Sequence, residues 1–405
     1  MQQSFQHSPR VSTRRLALQL AWACALVAGC GGGGSSVPSG GSAVATSSFA
    51  AGPITGFGSV IVNGVRFDDS HAAVTDDDGN ASTKDALKLG MTAEVHGGGV
   101  ADDGTGARAT ADAISFGSQL VGPVSAIDAA ARTLTILGQK VIVLDTTVLD
   151  ARLVGGFAAI TVGTLLEVHG TTDAATGAIT ARRLEPTNAA AGFKIRGVVA
   201  GLDTTAKTFT IGATLISYAT ATPLPANLAN GLFVRVRLQT TQVAGAWVAT
   251  RVNAAGPHVG DADEAHLRGS ITAFTSTASF SVNGIPVDAS AAAAFPNGTT
   301  GVVLGAQVEV EGASSNGVVI AKKVELETHE AMHAEGFELH GAITALDTTA
   351  KTFVLRTVTV SYAASTVDFR KGTAATLAVG VQLEVRGTLS ADGTTLQATR
   401  ISFGD

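Results

Sequence analysis

Cysteine is nearly absent from this chain. Only Cys24 and Cys30 occur among 405 residues, and both lie close to the N-terminus. The rest of the chain therefore has no pair of thiols that could form a disulfide, even in an oxidising compartment. Each domain must be stabilised by packing alone.

Charged and aromatic side chains are also scarce. They make up 15% and 5% of the chain, and 27 basic residues against 33 acidic ones give a net charge of -6. Basic residues occur in small groups such as Lys322/Lys323 and Arg370/Lys371. Because nucleic-acid backbones attract clustered Lys and Arg, we expect no nucleic-acid partner. The abundant residues are hydrophobic ones, at 45%, and 48 glycines, which favours strands and turns and excludes a coiled coil or extensive disorder.

The N-terminal segment has the parts of a bacterial lipoprotein leader. A basic stretch precedes the apolar run 16–28, which is too short for a stable membrane-spanning helix. The sequence at 27–30, VAGC, resembles a lipobox, and GGGGSS follows it. We predict a signal peptide at residues 1–29, lipid modification of Cys30 and a flexible tether over residues 30–50. The alternatives are ordinary cleavage beside a chance cysteine, and export by the twin-arginine route.

The residue after the lipobox bears on the destination of the protein. In Gram-negative lipoproteins an Asp after the modified cysteine commonly signals retention in the inner membrane, and this chain has Gly31 there. We therefore expect attachment to the cell envelope through the lipidated N-terminus, at the outer membrane of a Gram-negative bacterium.

Internal repeats organise the rest of the chain. The sequence LDTTAKTF occurs at 202–209 and again at 346–353, two periods of 72 apart. A glycine followed by an alternating strand, as in GMTAEVHG, recurs five times, beginning at Gly90, Gly163, Gly231, Gly305 and Gly380.

The alternation within this recurring strand separates buried from exposed positions. The predicted core positions are Ala93/Val95, Leu166/Val168, Val234/Val236, Val308/Val310 and Leu383/Val385. The residues between them face solvent or a cross-strand partner. They include the row Glu94, Glu167, Glu309 and Glu384, which we interpret as structural cross-strand charge because it recurs at one strand position.

A unit of about five short strands in roughly 70 residues fits a small closed barrel, because closure removes exposed strand edges. The prediction is an all-β chain of five tandem antiparallel barrels resembling the oligonucleotide/oligosaccharide-binding (OB) type. Each barrel is expected to have its own core and to lie in series with its neighbours, with some packing between them. The predicted repeats 1 to 5 are residues 51–117, 119–188, 193–255, 265–327 and 337–404.

These recurring elements carry a resemblance to a known family. The opening segment GPITGFGSVIVNGVRFDD at 52–69, the DTTAKTFT stretch, the VNG hairpins and the G-x-x-(V/L)-E-V-x-G strand resemble the bacterial domain of unknown function 5666. The resemblance implies tandem domains in a secreted or lipid-anchored protein, and it supplies no catalytic residue. Repeat 3 departs from the pattern, with Arg235, Arg237 and Leu238 where the other repeats carry Glu and Gly.

One segment spells a metalloprotease motif. His329, Glu330 and His333 form H-E-x-x-H, which binds zinc when it lies on a helix, and Glu338 or His340 could be a third ligand. The segment falls in a connector of about ten residues between repeats 4 and 5, too short for a protease domain. We interpret it as a solvated linker, like the acidic stretch 261–266 before repeat 4, with adventitious metal binding as the alternative.

Two other features suggest sites but favour structural roles. Asp76-Asp77-Asp78-Gly79, with Asp85, partly resembles a calcium loop, but Val74 would occupy its first ligand position, so a polar surface loop is the better interpretation. Phe209, Phe280 and Phe353 recur at matching positions and are predicted core residues. Trp247 alone is too little for a stacking platform.

Taken together, the sequence predicts a non-enzymatic protein with no catalytic residues, metal or cofactor. No nucleophile elbow, phosphate loop or dinucleotide fingerprint precedes a helix. We expect the barrels to bind a protein, a glycan or another envelope component through their loops. A purely structural spacer and a metal-dependent hydrolase are the alternatives.

Overall fold

Strands account for nearly all regular structure in the computed structural model, which describes residues 46–102, 104, 106–188, 191–256, 259–291, 295–328 and 336–404. Cys30 and the H-E-x-x-H segment lie outside these residues. Within them, helical turns are limited to three short 3-10 helices, Lys84–Ala86, Gly156–Ala159 and Ala374–Thr376. In that same part of the chain, no helix is long and apolar enough to cross a membrane.

The strands fall into five groups along the described part of the chain. Repeat 1 contains β1 (Ser47–Phe57), β2 (Val60–Val62), β3 (Val65–Asp68), β4 (Ala73–Asp76), β5 (Thr92–Gly98), β6 (Ala101–Asp102) and β7 (Ala107–Gly117). Repeat 2 contains β8 (Leu120–Asp128), β9 (Thr133–Ile136), β10 (Gln139–Leu149), β11 (Leu165–Thr172) and β12 (Ile179–Pro186). Repeat 3 contains β13 (Phe193–Val198), β14 (Ala200–Asp203), β15 (Thr208–Ile211), β16 (Thr214–Ser217), β17 (Phe233–Val243) and β18 (Ala246–Ala254).

Repeats 4 and 5 complete the described strands. Repeat 4 contains β19 (Ala262–Ser276), β20 (Ser279–Val282), β21 (Ile285–Asp288), β22 (Gln307–Ser315) and β23 (Val318–Leu326). Repeat 5 contains β24 (Phe337–Asp347), β25 (Thr352–Leu355), β26 (Val358–Ser361), β27 (Asp368–Arg370), β28 (Gln382–Leu389) and β29 (Thr395–Phe403).

Each repeat closes into a barrel with the same strand order. In repeat 4, β19 pairs with β20, β20 with β21, β21 with β23, β23 with β22, and β22 with β19. The pairing of the third strand with the fifth is parallel and the others are antiparallel, and the other repeats share this pattern. A closed five-stranded barrel of this kind is the OB type. The predicted fold is therefore confirmed, with one parallel pair in each barrel.

Two glycines explain why the strand motif recurs. The first takes a left-handed conformation in every repeat, with φ between 80° and 92°, which a side chain disfavours. The last glycine of the motif lies where the pairing between the fourth and fifth strands of the barrel shifts register. A Cβ there would come within 2.0–2.2 Å of a carbonyl oxygen. These last glycines are Gly97, Gly170, Gly312 and Gly387, and Leu238 replaces them in repeat 3.

The predicted core positions are buried. All ten apolar positions of the alternating strand are at most 3% exposed, and Phe209, Phe280 and Phe353 are at most 4% exposed. Among the residues between the apolar positions, His169 on β11 is buried, with its side chain only 1% exposed, and its cross-strand partner on β12 is Arg183.

The barrels do not lie in series with separate cores. Repeat 1 pairs in parallel with repeat 4 through β1 and β19, and with repeat 5 through β1 and β24, while β8 pairs with β13. One apolar cluster spans repeats 1 and 5, another spans repeats 2 and 3, and the third joins Phe49 and Ala51 to repeat 4. The expectation of one core per barrel was wrong because a barrel this small buries too little apolar surface alone.

Two segments predicted to be flexible belong to strands. Strand β1 begins at Ser47, inside the predicted tether 30–50, and Phe49 is fully buried. Strand β19 includes most of the acidic stretch 261–266 that was predicted as a linker. Both segments are ordered for the same reason: they pair with each other in parallel, with Ser48 beside Glu264, and so join repeats 1 and 4.

Candidate functional site

A cleft lies where repeats 1, 2 and 5 meet. Its volume is about 630 Å³, and a neighbouring cavity of about 370 Å³ shares Leu389 with it. Cavities at the junction of domains are common ligand sites. Three barrels supply the apolar part of the larger cavity: Phe57, Leu87 and Leu89 from repeat 1, Val148 and Leu149 from repeat 2, and Val354, Val358 and Leu389 from repeat 5.

Local interactions fix the walls of this cleft. The backbone N–H of Leu149 donates to the carbonyl of Gly393 at 2.8 Å, so the end of β10 is held against the loop between β28 and β29. The guanidinium of Arg356 lies 5.5 Å from the centre of the Phe57 ring and spans repeats 5 and 1. In OB barrels the loop between the last two strands often binds ligand. Here that loop in repeat 5 both holds repeat 2 and lines the cleft.

Charged side chains converge at one side of the cleft. Arg183 donates to Asp150 at 2.6 Å and to Glu185 at 3.2 Å, and Lys88 of repeat 1 donates to Glu185 at 2.8 Å. Arg152 adds a contact to Asp150 at 2.7 Å. Arg183 and Glu185 are each 6% exposed at the side chain, so the buried part of the network fastens repeat 1 to repeat 2, while Lys88 and Arg152 reach solvent.

The carboxylates of this network are held ionised. Burial by itself would raise the pKa of Glu185, but the neighbouring His169, Arg183 and Lys88 outweigh it, and the pKa lies well below its usual range. For Asp150 too, burial would raise the pKa, and the contacts with Arg152 and Arg183 lower it.

A second ionic cluster joins repeat 1 to repeat 3. Lys194, 3% exposed, donates to both carboxylate oxygens of Asp77, at 3.0 and 3.2 Å. Asp78 pairs with Arg235 at 3.3 Å and with Arg237. The loop predicted to be a polar surface loop is therefore an interface element. It also explains the departure of repeat 3 from the family pattern, because two arginines there face two aspartates of repeat 1.

Other predicted features have structural partners. Asp76 accepts hydrogen bonds from the backbone N–H groups of Asp78 and Asn80, which fixes the turn. Trp247 packs edge-on against Phe193, with the ring centres 5.4 Å apart. Lys323 contacts Glu311 at 3.1 Å and Glu325 at 3.0 Å on an exposed face.

The glutamate row has different surroundings in different repeats. Glu94 is opposite Ser115, and burial raises its pKa. Glu167 is directly opposite Glu185, and Glu384 is opposite both His340 and Ser402. Side chains of Glu167, His169 and Glu185, and likewise of Glu338, His340 and Glu384, are close enough to share a metal ion.

Sequence reasoning missed the residues that join the barrels. Lys88 lies in repeat 1, Asp150 and Arg183 lie in repeat 2 and Lys194 lies in repeat 3, and no local pattern marks them. The one available signal was the pair of arginines peculiar to repeat 3, which indicated a changed environment without identifying its partner.

The fold and site define a class of protein: tandem OB-type barrels packed into one unit, three of which form a shared cleft. Models of the family described as Domain of unknown function (DUF5666) match residues 121–185, 196–253, 268–325 and 340–402. The chain belongs to this family. Repeat 1 lies outside the matched segments, yet it has the same strand order as the others.

The other comparisons add little. No curated protein matches the chain. Among solved structures, a chain titled drosophila Unr CSD456 aligns at 11% identity over 52% of this chain and 98% of that chain, with a TM-score of 0.14. The strand pairing within each repeat, not this alignment, defines the fold.

Acid should weaken the interfaces between barrels. Asp77 and Glu185 have folded-state pKa values below the ordinary 3.8 and 4.5, so the stability that they contribute is present above those values and is lost as pH falls through the folded pKa. We expect the urea midpoint to fall steeply below about pH 4.5. Tryptophan fluorescence and circular dichroism measure it.

Glu94 supplies the control for this prediction. Because burial raises its pKa in the folded state, protonation of Glu94 stabilises the fold, and this effect opposes the acid loss. Glu94→Gln should therefore steepen the net loss of stability on acidification. A midpoint that rises steadily from pH 5 to pH 3 in the unmodified protein would contradict the role given to the ionic clusters.

Proposed function

We propose that this protein is a non-enzymatic binding protein of the bacterial cell envelope, lipid-anchored at Cys30, whose ligand occupies the cleft among repeats 1, 2 and 5. The observation that carries the proposal is the cleft itself, a concave junction of about 630 Å³ built by three barrels. A spacer would need no such junction. The barrels pack side against side. This arrangement suits a shared binding surface better than an extended spacer.

The lining favours an oligosaccharide as the ligand. Leu87, Leu89 and Val148 offer apolar surface to the faces of sugar rings, while Lys84, Asp85 and Thr394 at the same cavity can bond to hydroxyl groups. Arg356 and Lys84 would favour acidic sugars. OB-type barrels bind oligosaccharides among other ligands, which agrees with this choice. The acidic composition of the chain argues against a nucleic acid.

Filling the cleft should abolish binding. We expect the purified full chain to bind soluble acidic glycan fragments of the envelope in calorimetry, and Val148→Trp to weaken binding by about tenfold or more because the indole occupies the cavity. Val154→Trp is the matched control, since Val154 lies in the same repeat and is 84% exposed.

A second variant guards against misfolding. Val148 is only 8% exposed, so Val358→Trp, on the repeat 5 wall, should have the same effect if Val148→Trp unfolds the protein. Circular dichroism checks both variants. Absence of binding to any glycan fragment, or equal binding by the wild type and both cleft variants, would refute the proposal. Binding of an envelope peptide in place of glycan would refute the ligand class.

The membrane attachment has its own test. Cys30→Ala removes the thiol that would carry the lipid, so we expect loss of a fatty-acid label and release of the protein from the membrane fraction into the soluble fraction. Cys24→Ala is the control, because this residue lies in the segment predicted to be removed. Retention of label and membrane association in Cys30→Ala would refute lipidation.

A further inference from the structure

Three ligand-type side chains share one face of repeat 2. Glu167 and His169 are two residues apart on β11, and Glu185 on β12 is the cross-strand partner of Glu167. Two carboxylates placed directly opposite each other repel unless a positive charge lies between or beside them. The three ligand atoms lie within 4.8 Å of one another.

His169 is oriented as a metal-binding histidine would be. Its Nδ1 lies 3.0 Å from the carbonyl oxygen of Gly117, and because a carbonyl only accepts, the ring proton is on Nδ1. Whenever the imidazole is neutral, its lone pair is then on Nε2. This atom is buried without a hydrogen-bond partner, on a side chain only 1% exposed. A backbone carbonyl that orients the imidazole in this way is a common second shell of metal sites.

The distances fit a small divalent ion. His169 Nε2 lies 3.7 Å from Glu167 Oε1 and 3.6 Å from Glu185 Oε1. Metal bonds of roughly 2.0–2.2 Å at ordinary coordination angles place ligand atoms ~3.0–3.7 Å apart. The two glutamates also line an open cavity of about 470 Å³, which gives an ion access from solvent.

The surrounding charges select the kind of ion. Lys88 and Arg183 contact Oε2 of Glu185, so Oε1 is the oxygen that faces His169. These cations and Arg152 already balance the charge of the local carboxylates. Electrostatic attraction alone would therefore give a metal ion little binding energy. Coordination by imidazole nitrogen must supply the affinity, which favours zinc-like ions over Mg²⁺ or Ca²⁺.

We propose that Glu167, His169 and Glu185 form a binding site for one divalent transition metal ion, such as Zn²⁺. The related cluster in repeat 5 is not equivalent. There, His340 Nε2 already contacts Arg66 at 3.0 Å as well as Glu338, and its side chain is 31% exposed. The proposal for repeat 2 does not rest on glycan binding, although Lys88 and Arg183, which contact Glu185, also line the cleft.

Calorimetry with ZnCl2 on the chelator-treated full chain tests the site. We expect one Zn²⁺ to bind per chain, and His340→Gln and His333→Ala should not change this stoichiometry. Glu167→Gln should weaken the zinc affinity at least ~100-fold, which is more than the loss of an outer-shell partner causes. Glutamine has the size of glutamate and the side chain of Glu167 is partly exposed, so the fold should survive Glu167→Gln. CaCl2 and MgCl2 should compete poorly. X-ray absorption should show nitrogen and oxygen ligands including one imidazole.

Each other result overturns the proposal. No stoichiometric zinc, zinc that persists in Glu167→Gln, or zinc lost in His340→Gln or His333→Ala would each place the binding elsewhere or remove it. If Glu167→Gln lowers the melting temperature, His169→Gln provides a second variant, and zinc retained in both would overturn the proposal equally.

Discussion

Lys194→Met should lower the free energy of unfolding by about 3–5 kcal/mol, the cost of leaving a buried charge without its partner. Lys194 is 3% exposed and holds Asp77, 10% exposed, across the interface of repeats 1 and 3. Once the ammonium is removed, Asp77 retains only a long contact of 3.9 Å with Arg235 among its ion pairs in the described chain. Urea denaturation followed by circular dichroism measures the change.

A double variant separates this cost from general damage to the core. Lys194→Met combined with Asp77→Leu replaces both charges by apolar side chains, and we expect recovery of most of the lost stability. Lys323→Met is the surface control. The side chain of Lys323 is 39% exposed, so the loss of its ion pairs should change the free energy of unfolding by about 0–1 kcal/mol. A Lys194→Met variant as stable as Lys323→Met would contradict the buried-pair interpretation.

Arg183→Met should destabilise the junction of repeats 1 and 2 by about 3 kcal/mol. The guanidinium bonds to Asp150 and Glu185, and it also lies 3.4 Å from the carbonyl oxygen of Leu89 in repeat 1. The expected loss is at the lower end of the range because Lys88 and Arg152 still contact these carboxylates. Denaturant titration measures it.

Limited proteolysis shows where the change acts. Because Arg183 fastens the wall of the cleft, cleavage in the Arg183→Met variant should appear first around residues 84–91 and 150–160, which flank the network. Arg251→Met, on an exposed position of β18, is the matched control and should leave both stability and cleavage unchanged. Unaltered cleavage at the junction in Arg183→Met would show that the network does not hold these repeats together.

Local patterns predicted the interior of each barrel because burial follows the strand period. Alternation identified Val95, Val168 and Val310 as core, and all are fully buried. Asn-Gly pairs marked hairpins, as at Asn63-Gly64, where both residues have positive φ. These signals depend on neighbours a few residues apart, which the sequence displays directly.

The candidate site could not be predicted in the same way. Lys88 and Glu185 are 97 residues apart, and Asp78 and Arg237 are 159 apart. Periodicity placed His169 on the face that meets solvent or a cross-strand partner, and only the tertiary structure shows that it is buried, with its Nδ1 3.0 Å from the carbonyl oxygen of Gly117 at the end of repeat 1. Glu167 was correctly identified as a recurring charge, but its opposition to Glu185 depends on strand register.

The sequence by itself determined the repeated barrel, its buried stripe, its turn glycines and its family. Those properties arise from steric and hydrophobic preferences that act within about 70 residues, and every copy repeats them. Only the tertiary structure decided that the barrels share cores, that an acidic loop docks on repeat 3 and that three barrels enclose a cleft. Such contacts depend on the complementarity of outer faces from distant repeats, because the role of a charged side chain there depends on the side chain opposite it.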